Sequence, residues 1–294
     1  MKALLIGCVM SSERALNTLL ACDGIEIVGV VTRRASSFNT DFRDLALIGT
    51  ANDIPVFFAD EADTEEMTAW IAAHAPDIVF CIGWSYLLGQ DILDIPAHGV
   101  IGYHPALLPR GRGRHPIIWA LALGLEETGS SLFVMDAGAD SGAIVSQRRV
   151  PIARDDDAAS LYARLLDILG DQLRGICAQL ATGSLKATPQ DHGVATYWRK
   201  RGKDDGRIDW RMPAEGIRNL VRALAAPYPG AHCVFGGEDI KVHKVETADA
   251  PKDIEPGCVI GVDGRAITVK AGIDAVRLVE HDFTRLPATA EYVQ

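Results

Sequence analysis

The sequence predicts an α/β protein: a Rossmann-like, mostly parallel sheet in the first part, followed by a small antiparallel β-barrel. From Lys2 to Met135, short apolar runs alternate with helix-like stretches, which is the pattern of a doubly wound sheet. Between Lys186 and Asp205 the chain turns polar and charged, and beyond it five short β-like runs follow at the spacing of a barrel. A chain of 294 residues with 48% hydrophobic content fills one large core or two ordinary ones. The expected division is an N-terminal domain over 1–185, a linker over 186–204 and a C-terminal domain over 205–294.

Lys2 to Cys8 reads as the first strand, followed by Ser11 and Ser12 as caps of a helix ending near Leu20. Ile25 to Thr32 is the second strand, and a polar connection, Arg33 to Phe42, leads to a second helix and a strand from Ile54 to Phe58. Thr64 caps a helix to about His74, and Asp77 to Ile82 is the fourth strand. Gly99 to Tyr103 is a buried strand that delivers His104 into a loop. The next helix opens on Pro116, runs through Leu123 and stops at Gly124. Ser131 to Met135 is a strand feeding the Gly-rich loop Asp136 to Gly142. A long amphipathic helix runs from Asp155 to about Thr182, with Leu161, Leu165, Ile168, Ile176 and Leu180 near one face. Its acidic start, Asp155 to Asp157, suits a helix N-terminus and not a metal site. One helix, Ala214 to Leu224, precedes the barrel runs at Ala231–Phe235, Ile240–Val245, Cys258–Val262, Ala266–Lys270 and Ala275–Glu280.

Composition narrows the function. No apolar run reaches the roughly 18 residues of a membrane helix, and the start carries no export pattern, so the cytoplasm is the expected location. The six cysteines are scattered without C-x-x-C spacing, which indicates neither a zinc site nor a disulfide framework. The turn after the first strand, Gly7 to Ser12, lacks G-x-G-x-x-G, so a nicotinamide cofactor is not expected. A net charge of −10 argues against nucleic acid, whose binding needs phosphate neutralisation, although Arg199, Lys200, Arg201 and Lys203 form a small basic patch.

The stretch from Gly99 to Pro151 carries the chemistry. Its pattern H-P-x-L-L-P-x-x-R-G-R-x-P-I-x-W-A-L, then M-D-x-G-x-D-S-G-x-I-x-x-Q, resembles the 10-formyltetrahydrofolate-dependent formyltransferases. Downstream, Asp205 to Trp210 and Ala226 to Ala231 resemble that family's entry into its C-terminal domain, so the likeness covers nearly the whole chain. The resemblance implies a formyltransferase domain followed by an open, OB-like barrel, and a 10-formyltetrahydrofolate donor. In the family the region corresponding to Trp84, Ser85, Tyr86 and Leu87 and the loop corresponding to that of Gly138 and Asp140 approach the pterin; Trp84 and Tyr86 read equally well as packing residues.

Formyl transfer needs donors aimed at the formyl oxygen and a group to take a proton from the attacking amine. His104 and Asp140 are the expected catalytic pair: the imidazole as donor, the carboxylate favouring the imidazolium or relaying the amine proton. An isolated histidine is more often a satisfied structural group, and Asp before Ser-Gly a turn former. Arg112 and Arg114 match family positions beside the active site, and the resemblance implies that they pair with a phosphate or the folate glutamate, the alternative being solvated loop charges. Ser130 and Ser141 lack the order of a Ser-His-Asp triad. One departure stands out: the family's N-x-H is here Gly102-Tyr103-His104, without the Asn that helps bind the oxyanion. Gly102 and Tyr103 are accordingly expected beside the substrate, with water, Tyr103, Ser85 or the acceptor filling the vacated space. If that space is a lost donor site, Gly102→Asn should speed the reaction; if it admits part of an unusual substrate, the same change should block binding and leave the fold intact.

The expected acceptor is a small amine, a nucleotide-linked amino sugar. Methionyl-tRNA is the second reading, but Arg33 to Ala51 lacks the basic, Pro-Gly loop expected to grip an acceptor stem. A hydroxylated ornithine or another amino acid, and a catalytically silent folate- or nucleotide-binding protein, are the further alternatives.

Overall fold

The structure is a computed structural model that describes residues 1–36 and 40–294; the expected connection from Arg33 to Phe42 lies in part outside them. In chain order the elements are β1 (Lys2–Ile6), α1 (Met10–Leu20), β2 (Glu26–Thr32), α2 (Leu45–Ala51), β3 (Val56–Phe58), α3 (Thr64–Ala73), β4 (Ile78–Cys81), α4 (Gln90–Leu93) and β5 (Val100–His104). Then come β6 (Arg112–Gly113), α5 (Pro116–Ala122), β7 (Glu127–Val134), β8 (Ile144–Pro151), α6 (Ala158–Ala181) and β9 (Tyr197–Trp198). The last elements are α7 (Ala214–Ala223), β10 (Ala231–Phe235), β11 (Glu238–Ala248), β12 (Val259–Asp263), β13 (Ala266–Lys270) and β14 (Ala275–His281). The chain divides into two compact units, the first comprising Met1–Pro116, Thr128–Val150 and Ala163–Trp198, the second Ile117–Glu127, Pro151–Tyr162 and Arg199–Gln294.

The first unit holds a seven-stranded sheet of order β3-β2-β1-β4-β5-β7-β8, whose central strands β1, β4 and β5 are apolar runs buried on both faces. The first five are parallel neighbours, and β7 runs antiparallel to β5. Strand order reverses between β1 and β4, where open α/β sheets place their ligands. A β-carbon at Gly7 would meet the Ile82 carbonyl oxygen at 2.1 Å, so only glycine fits where the exits of these two strands pass. Ser12 ties the same place together: its hydroxyl accepts from the Val9 N–H and donates to the Ile82 carbonyl. One face packs Leu5, Phe80, Ile101 and Leu132 against Leu169, Leu173 and Ile176 of α6. The other packs Leu4, Ile6, Val79 and Val100 with Met67 and Ile71 of α3. Each fully buried Leu, Ile or Val contributes about 1.5–3 kcal/mol.

Helix ends follow local chemistry. Asp63, not Thr64, caps α3: its carboxylate accepts from the Glu66 N–H at 2.9 Å while Glu66 accepts from the Asp63 N–H at 3.1 Å. Helix α6 begins at Ala158, three residues later than expected, because Asp156 and Asp157 accept the N–H groups of Ala153 and Ser160 and stay outside it. Gly124, at φ +66°, follows α5 and donates to Leu121, as a C-terminal glycine does. Strand β8 was not expected; it lies at the sheet edge with much of its length exposed, so it lacks the apolar run that marks the others.

In the second unit each of the five expected runs forms a strand, and the sheet, of order β10-β11-β14-β13-β12, is antiparallel throughout. Helix α7 buries Ile217, Leu220 and Val221. The last residues bond beside both edges of this sheet: Ala290 donates to Val259 at 2.8 Å, and Gln294 donates to Val234 at 2.8 Å. The six cysteines are free thiols. Among the described residues no helix is long and apolar enough to cross a membrane.

Candidate active site

His104 is the last residue of β5 and pairs with Ser131 on β7, while Gly102, two residues before it, pairs with Cys81 on β4. Its side chain is buried, and Nε2 lies 2.7 Å from the Gly111 carbonyl oxygen. A carbonyl only accepts, so Nε2 carries a proton and Nδ1 is the ring nitrogen left for chemistry. Nδ1 faces Asp140, whose Oδ2 is 3.6 Å away, a separation longer than a hydrogen bond. The pair is thus brought together, with Asp140 at its more accessible end: its side chain is 21% exposed against 6% for His104.

The loop after β5 needs glycine where it closes on His104. Gly111 takes φ +70°, and a β-carbon there would meet the Trp198 ring at 2.5 Å. Its N–H donates to the Thr196 hydroxyl at 2.8 Å. Arg112 and Gly113 form the short β6–β9 ladder with Tyr197 and Trp198. The Gly113 N–H then donates to Asp140 Oδ2 at 2.8 Å.

The loop carrying Asp140 is organised by Asp136, whose Oδ1 accepts from the Gly138 N–H at 3.0 Å and the Ser141 hydroxyl at 2.6 Å. A β-carbon at Gly142 would lie 1.7 Å from the Val134 carbonyl oxygen, so the chain can reverse there only with glycine. Asp140 itself has φ +52°, the left-handed region that Asp tolerates better than most residues. Gly138 is exposed at the loop tip.

The two arginines part company. Arg112 is 1% exposed and its donors are taken within the protein: Nε and Nη2 by Gln190 Oε1, at 3.2 and 2.7 Å, and Nη1 by the Tyr197 hydroxyl at 2.9 Å. Its Nη2 also lies 3.2 Å from His192 Nδ1, and the guanidinium stacks on the Tyr197 ring. The expectation that Arg112 meets a phosphate or glutamate therefore gives way to a buried clamp. Arg114 is exposed and its guanidinium has no partner among the described residues, so it remains available to an anion.

The space beside Gly102 is not vacant. A β-carbon there would come within 2.9 Å of Phe133 Cζ and 2.9 Å of Met135 Cγ. Phe133 is Gly102's cross-strand partner, and its ring covers the bare backbone. Phe133 and Met135, rather than water, Tyr103, Ser85 or an acceptor, are the occupants. Tyr103 points to the opposite face, packs against the core with Ile101 and Leu132, and burial raises its pKa above the ordinary value.

After β4, Trp84 rests half-buried on the core cluster that Met135 also joins, with Tyr86 at 5.4 Å between ring centroids. Its indole N–H is enclosed and has no hydrogen-bond partner among the described residues. Such a donor costs about 1–3 kcal/mol until an acceptor reaches it, which fits a ligand with ring heteroatoms. Ser85 is half-buried, Tyr86 and Leu87 are 49% and 79% exposed, and Arg33 stacks on the Tyr86 ring at 5.1 Å.

Sequence reasoning missed Gln190, Thr196, Tyr197 and Trp198, which lie in the stretch expected to be linker. Only the apolar Tyr197-Trp198 pair within that polar run hinted that it packs.

Comparison with known proteins places these observations in a family. Residues 12–173 match the formyl transferase family model, and residues 200–290 match that of the formyl transferase C-terminal domain. A methionyl-tRNA formyltransferase of Acidithiobacillus ferrooxidans is 37% identical over 229 residues, covering 78% of this chain and 73% of that protein. Among solved structures, an N-formyltransferase from Helicobacter canadensis, in complex with folinic acid and dTDP-3-aminofucose, aligns with a TM-score of 0.70 at 15% identity, over 96% of this chain and 100% of that one. The sugar 3N-formyl transferase WlaRD gives 0.69 at 16% identity, over 95% and 97%. A methionyl-tRNA formyltransferase from Clostridium thermocellum gives 0.62 at 18% identity, over 84% and 93%. At these identities the three structures speak to the fold alone.

Proposed function

The chain belongs to the formyl transferase family, and we propose that it moves a formyl group from 10-formyltetrahydrofolate to the amine of a nucleotide-linked amino sugar. The observation that carries the reading is the His104–Asp140 pair, with Nε2 fixed on Gly111 and Nδ1 facing the carboxylate. When bound, the folate supplies the activated formyl group; Trp84, Ser85, Tyr86, Leu87 and Gly138 would hold it, the enclosed Trp84 N–H giving one donor. His104 Nδ1, once protonated, is the donor that meets the negative charge developing on the formyl oxygen. Asp140 stabilises that cation and takes up the proton the amine loses. Arg114 is an exposed cation beside this loop for an anionic part of either substrate.

Three features support a sugar nucleotide as acceptor. The net charge of −10 disfavours a polyanion, a diphosphate asks for only one or two cations, and two fold relatives were crystallised with dTDP or a dTDP-sugar. One observation favours a second reading, methionyl-tRNA: the 37% identity to the Acidithiobacillus enzyme. The C-terminal sheet, whose edges are both bonded by the chain's last residues, supports an OB-like barrel over 205–294 joined to a catalytic domain over 1–185. Cytoplasmic folate and nucleotide pools suit this chemistry.

Purified protein incubated with 10-formyltetrahydrofolate and a panel of nucleotide-linked amino sugars, with product identified by mass spectrometry, tests the proposal. A formylated sugar supports it. No product from any sugar, together with micromolar binding of initiator tRNA that weakens steeply with salt, would replace it with the second reading.

A further inference from the structure

We infer that Gln190 is a positioning residue of the formyl-transfer site, one buried amide that locks Asp140 in register with His104. The inference rests on the reading of those two residues as the reacting pair. Gln190 is 7% exposed, and its side chain uses its full hydrogen-bonding capacity. Oε1 accepts from Arg112 Nε at 3.2 Å and from Arg112 Nη2 at 2.7 Å. Nε2 donates to the Asp140 carbonyl at 2.9 Å and to the Gly142 carbonyl at 2.7 Å. The orientation of the amide is forced, because a guanidinium only donates and backbone carbonyls only accept.

The consequence lies in how three consecutive residues meet the pair. The Gly111 carbonyl holds His104 Nε2, the Gly113 N–H holds the Asp140 carboxylate, and Arg112 between them holds Asp140's own carbonyl through Gln190. Asp140 is thus gripped at both its side chain and its backbone by the segment that grips His104. The backbone grip matters because Asp140 sits at φ +52°, a conformation that needs support from its surroundings. Without Gln190, the Gly113 contact alone would set the carboxylate's place, and the Nδ1–Oδ2 separation would widen. Neither amide oxygen nor nitrogen reaches the histidine, so Gln190 acts through Asp140 and not on substrate.

Gln190→Glu keeps the acceptor for Arg112 but turns an oxygen toward two carbonyls; Gln190→Met removes both functions at similar volume. The experiment measures kcat and KM for formyl transfer in each variant, alone and combined with Asp140→Asn, using the amino-sugar nucleotide that wild type formylates fastest. It also records 15N resonances of the His104 ring and the thermal midpoint. Loss of about 10–100-fold in kcat is expected, with folate KM within about twofold and no further loss in the Asp140→Asn background. The His104 Nδ1 resonance should move in both variants. Unchanged kcat, or losses that multiply with Asp140→Asn, would overturn the inference. If wild type formylates nothing, the proposed function fails, and the resonances still decide: an unmoved Nδ1 signal in whichever variant folds overturns the inference. Should neither variant fold, Gln190 is a stability residue and the inference is likewise overturned.

Discussion

Phe133 stands opposite Gly102 in the β5–β7 ladder and lays its ring over it, with Cζ 2.9 Å from where a β-carbon of residue 102 would be. The family's Asn position is therefore filled from across the sheet. Gly102→Asn should not speed formyl transfer: overpacking of this kind costs about 1–3 kcal/mol, readable by chemical denaturation. Pairing Gly102→Asn with Phe133→Ala should recover part of that loss. A stable, faster Gly102→Asn single variant would show that the ring moves aside freely.

Arg112 and Arg114, two residues apart, should respond oppositely to truncation. Arg112→Ala leaves the neutral Gln190 Oε1 buried without its donors, so stability should fall by about 1–3 kcal/mol. Arg114→Ala should leave the unfolding midpoint in place and raise KM for one substrate. Thermal unfolding and steady-state kinetics on the two proteins check this together.

The sheet was legible because each central strand is a local apolar run, and α5 because its Pro116 and Gly124 mark both ends. His104 and Asp140 were legible because their motif is contiguous. Gln190 was not: its partners are a guanidinium at 112 and backbone carbonyls at 140 and 142, and a carbonyl acceptor leaves no trace in residue type. The fate of the Gly102 space was equally hidden, since it depends on the register that sets Phe133 across from it. Strand β8 escaped because an exposed edge does not require apolar residues.

Acid should weaken the second unit in a defined way. The Arg199 guanidinium, hydrogen-bonded to Asp205, is the main cause holding that carboxyl well below its ordinary 3.8, and Arg211 does the same for Asp209, lowering it to about 2. A depressed carboxylate pKa adds stability that is present above the unfolded value and lost as pH falls through the folded one. Asp205→Asn should thus lower the thermal midpoint at pH 6, with the difference from wild type shrinking below about pH 4. A difference that stays constant down to pH 2 would contradict the assignment. Arg199 is exposed, so solvent screening keeps the effect small.

Burial pushes the Cys81 and Cys233 thiols up to about 12, so neither forms thiolate near neutral pH. In native protein at pH 8 both should resist iodoacetamide, while half-exposed Cys22 is alkylated. Peptide mapping after a timed reaction reads this, and rapid labelling of Cys81 would show that the end of β4 opens.

In the proposed reaction His104 acts through Nδ1 while Gly111 holds Nε2, and replacing the ring tests this most directly. His104→Asn, verified as folded by its unfolding midpoint, should still bind 10-formyltetrahydrofolate but lose about 10²–10⁴-fold in kcat for the formylated sugar. Turnover within about threefold of wild type would contradict the central claim, because general acid–base catalysis by a positioned group cannot be removed so cheaply.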